Sequence, residues 1–324
     1  MVNKKIDSRI LKIISTLTIL IGVTSILYLI LGIKEGNLEY SLKLRIPKLI
    51  GILTTASLTA LSTILFQTTT NNRLLTPNVM GLDSFYVFIQ TTIIFLLGSD
   101  HVFTANKRLN FFICVFLMVL LSYFLFLIMF GKRKSDVILI VLVGIILGTL
   151  FSSLSKFMQI MIDPNEYLSL QNKLFASFTN INVDILIFSM IMIFIICIFL
   201  FKDLKYLDVM SLGRDHAINL GVEYDELVRK IFIIVAMFTA ISTALVGPIT
   251  FLGLLVANIT KQMLNTYKHS YLITVSILIS IFTLIFGQFL LERVFKSQTP
   301  VSVVINFLGG IYFMYLLLKE SKLC

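Results

Sequence analysis

The sequence predicts an all-α membrane protein of about ten transmembrane helices with both termini cytoplasmic. Three observations carry that reading. Of 324 residues, 57% are hydrophobic and 14% charged, with a mean hydropathy of +0.96, whereas a soluble domain has about a quarter charged residues. Apolar runs long enough to cross a bilayer recur along the chain. The 27 Lys and Arg residues are scattered through the loops with a modest excess in alternate ones, the bias by which polytopic proteins fix their orientation. At ~20 residues per span, ten helices leave room for connections and not for a soluble catalytic domain, so 1–324 is read as a single integral membrane domain.

The first run, near 13–33, follows Lys4, Lys5, Arg9 and Lys12. It is too long for a signal-peptide core and is read as a retained span. Further spans are expected near 46–66, 79–98, 109–130 and 137–155, with the longest basic run, Lys132-Arg133-Lys134, before the fifth. The outside segment 156–184 holds the turn signal Asp163-Pro164-Asn165 and then a mixed stretch expected to form a short surface helix. Met158, Met161, Tyr167 and Phe175 there could gate the outer face or simply pack. A sixth span near 185–201 leads into 202–230, the longest polar stretch. There Leu207, Met210, Leu212, Ala217 and Leu220 predict short amphipathic helices broken at Gly213 and Gly221. Spans near 231–246, 271–290 and 301–318 complete nine clear runs.

The stretch 249–265 is apolar but interrupted, with Gly247 and Pro248 before it and Gly253 and Asn258 within it. Counted as a tenth span, it leaves 17 basic residues inside and 10 outside; as an outside loop, 15 and 12. Ten spans fit the charge bias better. A broken segment at membrane depth needs protein or a water-filled cavity around its freed backbone groups, so this one is expected to line a pathway.

Catalytic chemistry is absent from the sequence. No GxxxxGK[ST] phosphate loop and no GxSxG nucleophile turn occur. His101, His216 and His269 lie in separate loops, without metal-ligand spacing. Cys114, Cys197 and Cys324 are odd in number and unpaired in spacing. The excess of basic residues is accounted for by membrane orientation, so nucleic acid is not called for. Charge inside the spans is sparse, with Asp83, Asp184 and Glu292-Arg293 at span ends. The energy for transport is therefore expected from another chain.

Four stretches carry a specific resemblance. Leu44-Arg45-Ile46-Pro47-Lys48, then Gln67, Asn72, Pro77 and Gly81, resembles the LRxPR, Q, NPLAxP, G pattern of FecCD-type permeases, the iron-chelate and vitamin B12 importers of ATP-binding-cassette (ABC) systems. Leu212 through Val222 is similar to their LGExxAxxLGV coupling segment. Gly247-Pro248-Ile249-Thr250-Phe251-Leu252-Gly253-Leu254 resembles GxIGFxGL, and Pro300 through Leu318 the closing span. The matches run in the family's order over 44–318. The closing LLERVF…INFLGGIYFMYLLLKE looks most like the second permease of catechol-type siderophore importers, petrobactin- or anguibactin-like.

The chain departs from the pattern at Asn72-Arg73, Arg214, Ala257-Asn258, Phe289 and Gln298, and two residues are missing between Arg293 and Pro300. Such drift suggests one half of a heterodimer. The resemblance implies a type II ABC importer permease without a nucleotide site or bound cofactor. It would pair with a second permease, two cytoplasmic ATPases using ATP-Mg and an extracellular lipid-anchored binding protein, in the bacterial cytoplasmic membrane. Iron would travel as chelate cargo. It also implies ATPase coupling at Leu212, Gly213, Arg214, Ala217, Leu220 and Gly221. Binding-protein docking falls on Arg45, Lys48 and Arg293, whose alternative is interfacial snorkelling. Gln67, Asn72, Pro77, Gly81, Gly247, Pro248, Phe251, Gly253 and Asn258 are assigned to the pathway or to helix packing. Haem or a corrinoid as cargo, or a non-transport scaffold, remain alternative readings.

Overall fold

The structure, a computed structural model, describes residues 2–31, 38–78, 80–130, 137–179, 181–264, 266–293 and 300–320. Lys34, the run Lys132-Arg133-Lys134, Lys296, Gln298, Lys322 and Cys324 lie outside the described residues. The elements are α1 (Val2–Ile30), α2 (Leu38–Thr69), α3 (Leu82–Leu97), α4 (Val102–Ala105), α5 (Lys107–Phe130), α6 (Val137–Met161), α7 (Pro164–Leu174), α8 (Val183–Phe201), α9 (Leu204–Met210), α10 (Arg214–Asn219), α11 (Tyr224–Val246), α12 (Leu252–Met263), α13 (His269–Arg293) and α14 (Val301–Glu320). Among the described residues, α1, α2, α5, α6, α8, α11 and α13 are long and apolar enough to cross a membrane. The apolar helices α3 and α14 are shorter, and α12, the interrupted one, is shorter still.

Helix α2 is the centre of the bundle. On one side its Leu58, Leu65 and Phe66 join a core with Phe85, Cys114, Ile231 and Phe238. On the other, its Ile52, Ala56 and Ala60 pack with Val256, Val275 and Leu284. Its many threonines do not interrupt this burial. The hydroxyls of Thr54, Thr59, Thr63, Thr68 and Thr69 each lie 2.6–2.9 Å from the carbonyl four residues back, which offers each an acceptor inside the helix, whereas Thr55 Oγ1 is buried without a partner among the described residues. Helix α8, by contrast, exposes Ile187, Ile191, Phe194 and Phe201, an apolar face that suits hydrocarbon rather than water.

Helix α2 starts at Leu38, earlier than the span expected at 46–66, so Arg45, Pro47 and Lys48 sit inside it. Pro47 removes one amide donor and leaves the carbonyl of Lys43 free. A Glu39–Lys43 pair at 2.8 Å supports the exposed turn before it.

Length separates the spanning helices from the broken ones. At 1.5 Å per residue α2 is about 48 Å long, α3 about 24 Å and α12 about 18 Å, against a hydrocarbon core of ~30 Å. The 70–81 connection therefore turns back into the bundle before α3 begins. Gly81 at its end abuts Gly148 and Gly144 of α6, where a Cβ would come 2.7 Å from Gly148 Cα. Gly148 is about 16 Å along α6 from its first residue.

Candidate transport pathway and coupling surface

The two interrupted segments meet inside the bundle. Gly81 and Gly247 adopt φ of 96° and 108°, which an L side chain resists. Each glycine ends its segment against another backbone, Gly247 lying where a Cβ would meet Ala176 Cα at 2.9 Å. Asn78 Nδ2 donates to Ile249 O at 3.0 Å, and Thr250 Oγ1 donates to Asp83 Oδ2 at 2.9 Å. These bonds satisfy groups that the helix breaks leave free, as irregular backbone at membrane depth requires. Asp83 stands in the first turn of α3. Asp83 thus stands at the start of its helix, as hydropathy places it, and is held inside the bundle by Thr250.

Gly253 fits against Thr63 of α2, and Gly309 of α14 against Phe251. The Phe251 amide donates to Asn306 Oδ1 at 3.3 Å. Pro77 is buried and Pro248 half-buried. Asn258 Nδ2 bridges Leu254 O at 2.9 Å and Arg73 O at 3.3 Å. Gln67 Nε2 also reaches Arg73 O, at 2.6 Å, while Gln67 Oε1 accepts from Lys261 Nζ at 2.8 Å. Asn72 Oδ1 closes a tight turn by accepting from the Leu74 amide at 2.9 Å. Gln67 and Asn72 border a cavity of about 490 Å³ that Arg73, Lys261 and Tyr267 also line.

At the end of the bundle that the charge bias assigns to the cytoplasm (the inner end), α9 and α10 form a helical knuckle. Gly213 and Gly221, with φ of 97° and 83°, stop the two helices where the sequence places the breaks. Leu207, Met210 and Ala217 are buried, whereas Leu212 and Leu220 are 57% and 63% exposed. Arg214 turns inward and pairs with Asp225 at the start of α11, Nη2 to Oδ2 at 3.0 Å. The knuckle thus presents Leu212 and Leu220 while Arg214 stays paired.

At the outer end, Arg45 Nη1 donates to the carbonyls of Tyr28, Leu29 and Leu31 at 2.9–3.0 Å, and Arg293 Nη2 donates to Leu31 O. Two guanidinium groups therefore cap the last turn of α1, whose terminal carbonyls carry partial negative charge. Tyr28 Oη donates to Glu292 Oε1 at 3.1 Å in the same cluster. Lys48 is half-buried. In α7, Lys173 Nζ donates to Thr104 O at 3.1 Å. Burial pulls its pKa below the usual lysine range, with a weaker upward pull from Cys114.

Two further features were not legible as site residues. His269, expected in a loop, opens α13 and is buried against Asp208 and Thr68. Thr250 is the partner of Asp83. Among the described residues no group of three His, Cys, Asp or Glu could hold a metal ion.

Two broken segments meeting inside an all-helical bundle, with a helical knuckle at one end, fit a polytopic membrane permease. The FecCD transport family matches residues 9–319, and the chain belongs to it. It is 53% identical over 287 residues to the petrobactin import system permease protein YclO of Bacillus subtilis strain 168, covering 89% of this chain and 91% of that one. It is 36% identical to the petrobactin import system permease protein FatC of Bacillus anthracis, covering 87% and 79%. A chain solved as the inward-facing conformation of a proposed metal-chelate type ABC transporter superposes with a TM-score of 0.83 at 22% identity, covering 96% and 99%. That likeness shows the fold.

Proposed function

We propose that this chain is a permease subunit of a bacterial ABC importer for an iron–siderophore complex, petrobactin or a close catechol relative. The carrying observation is the 53% identity to a petrobactin permease across nearly the whole of both chains. The chain spans the cytoplasmic membrane as one domain and forms the pathway with a second permease. Two ATPases supply the energy from ATP-Mg, and a lipid-anchored binding protein delivers the cargo. This subunit holds no nucleotide and no cofactor of its own.

In this reading the segments around Asn78 and Thr250 line or gate the pathway, with Gln67, Asn72 and Asn258 holding the connection in place. The knuckle seats the ATPase through Leu212 and Leu220. The bonds that cap α1 use one terminal nitrogen each of Arg45 and Arg293; Lys48 and the remaining guanidinium donors serve binding-protein docking.

The test is uptake of radio-iron petrobactin by the importer reconstituted in proteoliposomes, with haem and a corrinoid offered in parallel. ATP-dependent accumulation of the petrobactin complex supports the assignment, and accumulation of haem or corrinoid alone overturns it. A second measurement addresses the knuckle. A Cβ at Gly213 or Gly221 meets nothing within 4 Å, so bulkier residues there impose backbone strain, about 1–2 kcal/mol each, without collision. The double replacement is expected to leave the complex assembled and to uncouple ATP hydrolysis from uptake. Unchanged coupling would remove the segment from consideration.

A further inference from the structure

Apolar burial of Leu207, Met210 and Ala217 seats the 204–219 knuckle, but burial has no direction. A polar cluster, with His269 and Thr68 buried and the Asp208 side chain 38% exposed, supplies one. Asp208 Oδ1 accepts from the backbone amide of His269 at 2.7 Å and lies 2.7 Å from His269 Nδ1. The other ring nitrogen, Nε2, is 2.8 Å from Thr68 Oγ1. His269 is 4% exposed and Thr68 8%. One buried imidazole, at the wall of the cavity of about 490 Å³, joins α9 to the first turn of α13 and the last turn of α2.

The proton count of the cluster makes the joint persistent. Thr68 has one hydroxyl proton, and its oxygen is also 2.8 Å from Ile64 O. When that proton goes to Ile64, both ring nitrogens donate, one to Asp208 and one to Thr68. When the ring is neutral, Nδ1–H still donates to Asp208, and Nε2 accepts from Thr68 instead. Either way the three elements stay tied. At their outer ends the same two long helices carry Arg45 and Arg293, the pair that caps α1. A push on α9 therefore reaches helices that run the length of the bundle.

We propose that Asp208, His269 and Thr68 form the joint through which displacement of the knuckle is passed to α2 and α13, as positioning residues of the transport step. The proposal rests on the reading of 207–222 as the ATPase-coupling segment. It is tested in the whole importer, with chelate uptake and ATP hydrolysis measured on the same proteoliposomes. The variants are Asp208→Ala, His269→Ala and His269→Asn, the last keeping an amide donor near the Nδ1 position. The two alanine variants are expected to assemble and hydrolyse ATP while uptake per ATP falls about fivefold or more. His269→Asn should recover most of that loss.

Wild-type uptake per ATP in both alanine variants overturns the joint. Loss of assembly in both also overturns it, since the cluster would then be a folding contact only. A parallel Leu212→Cys cross-link to the ATPase separates the two readings. No cross-link in an otherwise unaltered importer overturns the coupling assignment itself. A cross-link with unchanged uptake per ATP in the alanine variants overturns only the joint.

Discussion

A single carboxylate shows how much one residue is asked to do at depth. Asp83 Oδ2 accepts from Thr250, while Oδ1 is buried without a partner among the described residues. An ionisable group in such a place is expected to serve function rather than packing. Removing the donor alone should cost more than removing both partners, because it strands a buried acceptor. Thr250→Val is therefore expected to lower stability in detergent by about 1–3 kcal/mol. Asp83→Val with Thr250→Val should lie closer to wild type than the sum of the single changes, a non-additivity that denaturation of the four proteins measures. Strict additivity would mean that the two side chains act independently. Arg45 carries a related lesson. Its position on the outer side, where the charge bias disfavours basic residues, was visible in the sequence. Its acceptors were not, because they are backbone carbonyls of a different helix, Tyr28, Leu29 and Leu31. Arg45→Met should loosen the end of α1 by about 1 kcal/mol, seen as faster hydrogen exchange at 28–31, even in the absence of the binding protein.

Among the elements, the glycines decide where helices stop and how closely they approach. Gly213 and Gly221 were legible as breaks because each follows a short amphipathic stretch, and the positive φ at both gives the physical reason. Gly144 and Gly148, one turn apart on α6, make a close contact that was not singled out from the sequence. Its partner could not be read, since Gly81 lies on a connection that hydropathy assigns to a loop or a span edge. The same limit hid the Asp208–His269 contact, whose members are 61 residues apart, and the Asp83–Thr250 bond, 167 apart. Composition and periodicity report single segments; pairs formed by folding leave no local trace. The Gly81–Gly148 contact is backbone on backbone, so no side-chain rotation can relieve a clash. Gly81→Ala should thus lower stability by about 2–4 kcal/mol, combining a strained φ with overpacking. Gly287 has nothing within 4 Å of its added Cβ, so Gly287→Ala should be neutral or slightly stabilising. Equal thermal stability of the two variants in the same detergent would show that the α3–α6 approach does not need a glycine.

For the whole molecule, a groove of polar groups offers a place for the proposed second permease. Asn78, Ser84, Thr149, Ser152, Ser153 and Lys156 line a groove of about 270 Å³ where α3 meets α6, although α6 is otherwise a candidate span. Thr149 and Ser153 donate to carbonyls within α6, but lipid tails offer nothing to Asn78 or to the ammonium of Lys156, so the groove suits protein or a water-filled passage. The motif departures at Arg214, Ala257 and Asn258 suggest that the completing surface comes from a different permease rather than a second copy. Reconstituted with the ATPase and binding protein alone, this chain should give no chelate uptake, and adding the second permease should restore it. Serine accessibility supplies an independent reading. Ser153→Cys, in a background without the native cysteines, should react with a water-soluble thiol reagent in the complete importer, and Ile146→Cys on the exposed apolar part of α6 should not. The contrast follows from water in a passage on one side of the helix and hydrocarbon on the other. Full uptake by this chain without another permease would refute the heterodimer, and equal protection of the two cysteines would place the groove outside the passage.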